Sequence, residues 1–229
     1  MLISPFGRSV VLCFFASLVP AAPALAQEPP EAAPAPAADP AVGDYAAAEM
    51  ELVAGLRLNP DGTFQYGLSV GSLDEQAQGN WQRVGTRIEL TSEPKPVPPA
   101  ISADGIKAAP GQPFAIRLLA PNGQDVPAID LRIDFDTGEP LISYLAGGPW
   151  SLPLDEKRQP RSVTFSKPAY HIDSGPLPLR ATDGTVAVFR LTPNDLGVVD
   201  LTGAYLEQDG EDFVLRRSEG LLAFRRIDR

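Results

Sequence analysis

The sequence predicts an all-β protein: an antiparallel meander or partial barrel plus a small β-sandwich, after a disordered Pro/Ala-rich linker. Two observations carry this. Apolar residues alternate with polar ones in short runs, the period of a strand with one buried face. Turn residues recur between those runs at a spacing of about 8–12 residues, the rhythm of sandwiches and barrels.

The chain opens on an export signal. Residues 1–8 carry the amino terminus and Arg8, residues 9–19 (SVVLCFFASLV) are apolar, and Ala24-Leu25-Ala26 supplies a small-x-small cleavage pattern. An eleven-residue run is short of the ~20 apolar residues that cross a bilayer as a helix, so no membrane span is retained. Cleavage after Ala26 removes Cys13, the only cysteine, and with it thiol chemistry, disulfides and zinc–thiolate sites. It also removes Arg8, taking the 19 basic groups to 18 against 29 acidic ones, a net charge of −11. So acidic a surface repels phosphate backbones, and nucleic acid is excluded as a partner. The expected location is periplasmic or secreted.

Residues 27–43 (QEPPEAAPAPAADPAVG) bury almost nothing and read as a solvated tether. In residues 44–92 a meander follows. A helical turn fits the Ala-rich residues 45–50. Leu52, Ala54, Leu56 and Leu58 then alternate with other residues, Asn59-Pro60-Asp61-Gly62 turns, and Phe64, Tyr66, Leu68 and Val70 share one face. Residues 71–78 read as a polar loop, before a strand around Trp81, a Gly85-Thr86 turn and a strand with Ile88 and Leu90 inward. Short turns between neighbours make the sheet antiparallel.

The run Leu56-x-Leu58-x-x-Asp61-Gly62-Thr63-Phe64-x-Tyr66, followed by Gly79-x-Trp81 and Gly85-x-x-Ile88-x-Leu90, resembles the meander of lipocalin-like bacterial envelope domains, including the amino-terminal domain of the copper-stress lipoprotein family. The resemblance implies fold and location. Copper handling does not carry over, because the chain lacks that family's lipidated cysteine and Cys-x-x-Cys pair.

Residues 93–112 are a Pro-rich connection, and residues 113–168 a sandwich-like segment. Within the latter, Phe114, Ile116 and Leu118 alternate, Pro121-Asn122-Gly123 turns, and Leu131, Ile133 and Phe135 alternate with Asp130, Arg132, Asp134 and Asp136. This stretch resembles transthyretin-like modules of exported proteins, through its Pro-Asn-Gly-x-x-Val-Pro connection between strands. Residues 169–229 form the last block, with strands over residues 185–192, 198–206, 212–217 and 221–227 and hairpin turns at Asp183-Gly184 and Asp209-Gly210. Residues 205–213 echo residues 56–64, one arrangement being that the C-terminal strands pack back onto the first meander around an insertion.

The candidate chemistry is sparse. His171, the only histidine, lies beside Asp173 and Ser174, but neighbours in an extended segment point apart and no Gly-x-Ser-x-Gly elbow accompanies them. Asp134, Asp136 and Glu139 flank Gly138 without the spacing of a calcium loop. Asp74-Glu75 and Glu211-Asp212 read as loop acids rather than a glycosidase pair. No nucleotide fingerprint occurs, so no cofactor, metal or catalytic residue is assigned. As ligand-binding candidates there remain Phe64, Tyr66 and Trp81, which would line the interior of a lipocalin-like barrel. The expected function is a non-catalytic exported binding or envelope-maintenance protein with an unknown envelope partner. The alternatives are a lipocalin-like carrier of a small apolar ligand and a carboxylate-based hydrolase acting on glycans or peptides.

Overall fold

A computed structural model describes residues 39–227, all of it strand, turn and loop apart from one 3₁₀ turn. The expected signal peptide and most of the expected tether lie outside the described residues. Among those described, no helix is long and apolar enough to cross a membrane.

The chain begins with a five-strand antiparallel meander: β1 (Gly43–Glu49), β2 (Leu52–Leu58), β3 (Thr63–Val70), β4 (Leu73–Val84) and β5 (Arg87–Ser92). Two local expectations are corrected here. Residues 45–49 are strand and Met50 is in a turn, not a helix, because Tyr45 and Ala47 point into the core at alternate positions. Residues 73–78 are strand, not loop, because Glu75, Ala77 and Gly79 alternate inward along one twelve-residue β4. β4 changes partner part-way: Leu73–Asn80 pairs with β3, and Gly79–Val84 with β5. Gly79 makes this possible. A Cβ there would collide with the Thr91 carbonyl oxygen and stand 2.7 Å from Glu93 N and 2.8 Å from Ser92 Cα. Only a residue without a side chain allows so close an approach.

The chain then leaves for β6 (Ala100–Ala108), β7 (Ala115–Leu119), β8 (Ile129–Phe135), β9 (Leu141–Leu145), β10 (Trp150–Ser151), β11 (Pro160–Lys167), β12 (Ile172–Asp173), β13 (Leu177–Pro178) and β14 (Thr185–Thr192). These form two sheets, β10-β7-β14-β6 and β12-β11-β8-β9, with β13 also paired to β11. One core lies among them, built on Ile116, Leu118, Leu131, Ile133, Val163, Phe165 and Phe189. β6 falls in the stretch expected to be a connection. It is an edge strand exposed on both faces except at Ile101, so no alternation marks it. β14 lies parallel to β7, and Asp183-Gly184 joins two sheets rather than closing a hairpin.

The chain returns in β15 (Tyr205–Asp209), β16 (Asp212–Arg217) and β17 (Gly220–Arg226), which complete a closed eight-stranded barrel, β1-β17-β16-β15-β5-β4-β3-β2. Residues 198–204, expected as strand, are instead an irregular segment whose Val199, Leu201 and Ala204 pack into the barrel core at the end where β5 stops. The Ser92 hydroxyl accepts a hydrogen bond from Leu201 N (2.8 Å) and holds it there. At the opposite end residues 39–42 fold under the barrel. Arg83 donates twice to Asp39 at 2.7 Å, and Arg226 donates to the carbonyls of Pro40 (2.8 Å) and Val42 (2.7 Å).

Two linkers join barrel to sandwich, and they are laced together. Asp195 N donates to Val97 O (3.1 Å), Val97 N to Asp195 Oδ2 (2.8 Å), and Asn194 Nδ2 to Pro98 O (2.8 Å). Both are also tied to β4: Gln76 N donates to Gly197 O (2.8 Å), Val199 N to Gln76 O (2.9 Å) and Glu93 N to Gln78 O (3.1 Å).

Candidate functional site

Of the three residues singled out as a ligand wall, two are buried in the barrel core and the third packs against it. Phe64 and Tyr66 point inward from β3 and are buried in one cluster with Leu56, Leu58, Ile88 and Phe224. The Tyr66 ring meets Phe224 edge-on, with centroids 6.4 Å apart. Trp81 is half-buried against the same cluster and donates from Nε1 to Asn59 O at 3.0 Å, closing the barrel over the β2–β3 turn. The clefts that border Tyr66 differ from the one that borders Phe64, and Trp81 borders none of them. An eight-stranded barrel has an interior just wide enough for its own side chains, and here they occupy it.

One polar group inside the barrel was not legible as such. Glu75 points inward from β4, where its carboxylate accepts from Arg217 Nη1 of β16 at 2.6 Å and from the Tyr66 hydroxyl at 3.3 Å. The side chains of Arg217 and Glu75 keep only 15% and 7% of their exposure. Burial pushes the Tyr66 phenol well above its ordinary value. With both charges spent on each other, the trio holds β3, β4 and β16 together and offers no free acid.

Five further acids are engaged by neighbouring donors. Asp39 is held below the usual carboxylate range by hydrogen bonds from Arg83, Asp125 by Arg117, and Glu156, down to about 2, by Arg158. Thr63 does the same for Asp61, and Thr202 for Asp200. A general acid requires the opposite shift. His171 is exposed and left-handed (φ 54°) after the 3₁₀ turn Pro168–Tyr170. The Ser174 hydroxyl donates to Gly175 O (2.7 Å) and accepts from Phe165 N (2.9 Å), so it is committed to the backbone rather than to His171. Asp134 receives Arg132, and Asp136 receives Gln159 N. Among the described residues no group of three or more His, Cys, Asp or Glu converges as a metal site.

What the fold does present is a face. In the sheet β12-β11-β8-β9, Leu131, Ile133, Val163 and Phe165 turn inward. The alternate residues therefore turn outward, and the register sets them in rows: Tyr144 opposite Asp130 and Ser166, Ile142 opposite Arg132 and Thr164. Ile142 and Tyr144 are 68% and 62% exposed. They stand on the last strand of the sheet, and no described strand pairs with its outer edge. Trp150 fixes this strand from below, donating from Nε1 to the Ser143 hydroxyl at 2.9 Å. The result is an apolar pair at a sheet edge, bordered by an arginine, an acid and hydroxyls.

Compared with known proteins, the chain matches no family model, no curated protein and no solved structure.

Proposed function

We propose that this chain is a non-catalytic binding protein exported to the periplasm or beyond, and that it holds a polypeptide partner on the outward face of β9, β8 and β11. The observation that carries the reading is the pair Ile142 and Tyr144, exposed side by side on an edge strand. Exposed apolar side chains are normal when scattered, but adjacent ones framed by polar groups mark contact sites. A tyrosine, a β-branched apolar residue and an arginine surrounded by hydroxyls have the composition of an interface core with its rim. The free edge of β9 adds main-chain donors and acceptors, which an extended partner segment uses by strand addition. Export rests on the amino-terminal pattern of charge, apolar run and Ala24-Leu25-Ala26.

The test is capture from envelope extract by the chain beginning at Gln27, run beside Ile142→Asp and Tyr144→Ser variants. Both side chains are solvent-facing, so the variants are expected to keep the melting temperature. A partner held by the parent and weakened about 30-fold by either substitution, the effect of losing a contact worth ~2 kcal/mol, is the expected outcome. A partner held equally by all three proteins overturns the assignment of the face.

A further inference from the structure

A separate feature lies where the barrel meets the sandwich linkers. A cleft of about 400 Å³ opens over the outer face of β3 and β4. Its floor carries the side chains of Gln65, Gln76 and Gln78, and its apolar lining comes from Pro94, Pro96 and Val198. The walls are built by the main chain. Gly79 lets Glu93 come against β4, the Gln78 carbonyl holds Glu93 N, and the Gln76 backbone holds residues 197 and 199. The backbones of two glutamines thus carry the linkers, while the side-chain amides of all three have no partner among the described residues. Such amides each offer two donors and one acceptor, and three of them face one cleft.

The charge in the cleft is already settled. Its one acid, Asp195, accepts from Val97 N at 2.8 Å, and neither lysine nor arginine lines it. An anionic ligand would find no counter-charge there, in a protein whose formal net charge is −10. A purely apolar ligand would strip water from three amides without replacing their hydrogen bonds. The matching chemistry is an uncharged molecule with many hydroxyls and an apolar face. We infer that the junction cleft binds a neutral saccharide of one or two units. Neighbouring hydroxyls pair with the glutamine amides, and the C–H face of the ring lies on Pro94, Pro96 and Val198. The volume suits that size, falling at the lower end of ligand pockets, roughly 300–1,000 Å³. Position agrees as well, since such pockets favour junctions between domains.

The experiment titrates maltose, cellobiose and di-N-acetylchitobiose into the ¹⁵N-labelled chain beginning at Gln27 and follows the side-chain amide resonances of the three glutamines. At least one disaccharide is expected to shift all three together and saturably. A Gln76→Ala/Gln78→Ala variant keeps the backbone bonds to the linkers. It should retain the parent melting temperature and bind at least tenfold more weakly. Absence of shifts with all three sugars overturns the inference, as do shifts that survive the double substitution. Shifts produced only by the uncharged, capped peptide acetyl-Ala-Pro-Ala-amide reassign the cleft to polypeptide and overturn it too. The Ile142→Asp variant should bind sugar like the parent, so failure of the cleft and failure of the β9 face are read separately.

Discussion

The barrel and the inserted sandwich bury their apolar residues in opposite ways. The barrel is assembled from two distant pieces of chain, closes on itself, and is plugged at both ends by residues 39–42 and 199–204. Closure removes strand edges, which otherwise invite pairing with other chains. Three of its inward polar groups, Glu75, Arg217 and Tyr66, are consumed by one another. The sandwich is one continuous stretch with free strands at the sides of its sheets. One edge strand, β6, is guarded: Asp104 sits in a bulge and pairs with Arg190 at 2.6 Å. Another, β9, carries Ile142 and Tyr144 into solvent instead. A closed element spends its main-chain polarity internally, so among the described strands unpaired edges remain only in the open element.

Each region holds one of the protein's 2 tryptophans, Trp81 in the barrel and Trp150 in the sandwich, so the unfolding of each can be followed optically. The largest effect is expected at Gly79. Gly79→Val forces the side chain into the Thr91 carbonyl and pushes β5 from β4, so the barrel should lose more than ~4 kcal/mol, the range of severe backbone and packing defects. Denaturation followed in a Trp150→Phe background reports Trp81, and in a Trp81→Phe background Trp150. The Trp81 transition should move first and furthest. Coincident shifts of equal size would show that the laced linkers make both regions one cooperative unit, so that barrel and sandwich differ in structure but not in stability.

Arg217→Ala is expected to come next, at about 3 kcal/mol. It leaves the Glu75 charge buried without its cation, and breaking such a pair costs far more than its presence contributes. The companion variant Glu75→Leu/Arg217→Met replaces both charges with apolar groups of similar volume. It should recover most of the loss in urea denaturation. If the double variant is as unstable as Arg217→Ala, the pair does more than fill the barrel mouth, and the view of the interior as closed and inert fails.

The sequence made the β class legible because it depends on alternation and turn residues, which are local. The β2–β3 hairpin around Asn59-Pro60-Asp61-Gly62 and the β15–β16 hairpin at Asp209-Gly210 follow from it directly. β4 was cut short because polar Asp74, Glu75, Gln76 and Gln78 mask its alternation, and Glu75 makes sense inward only once Arg217 arrives from 142 positions away. β6 was hidden for the converse reason: a strand exposed on both faces has no pattern to read. The site was less legible than the fold. Phe64, Tyr66 and Trp81 were visible as aromatic, but whether a barrel interior is cavity or core depends on closure, a property of all eight strands. The β9 pair left no signal in the sequence, since which strand ends a sheet is set by topology alone.

The smallest effect contrasts with the buried pair of the barrel. Glu156, in the β10–β11 loop of the sandwich, receives hydrogen bonds from Arg158 Nε (3.0 Å) and Nη2 (2.6 Å), which hold its carboxyl down to about 2 against an ordinary 4.5. Because the folded value is the lower one, its contribution is complete above pH 4.5 and is lost as pH falls from there through about 2. At neutral pH the pair is therefore fully ionised, yet solvent screens it, and Arg158→Ala should move the melting temperature little. The carboxyl resonance of Glu156 should titrate near 2 in the parent and return toward 4.5 in that variant. A resonance already near 4.5 in the parent would mean that Arg158 is held instead by the Glu139 carbonyl (2.7 Å) and the Phe135 ring, 4.1 Å from its guanidinium carbon, which hold the loop against β8 without any help from the acid.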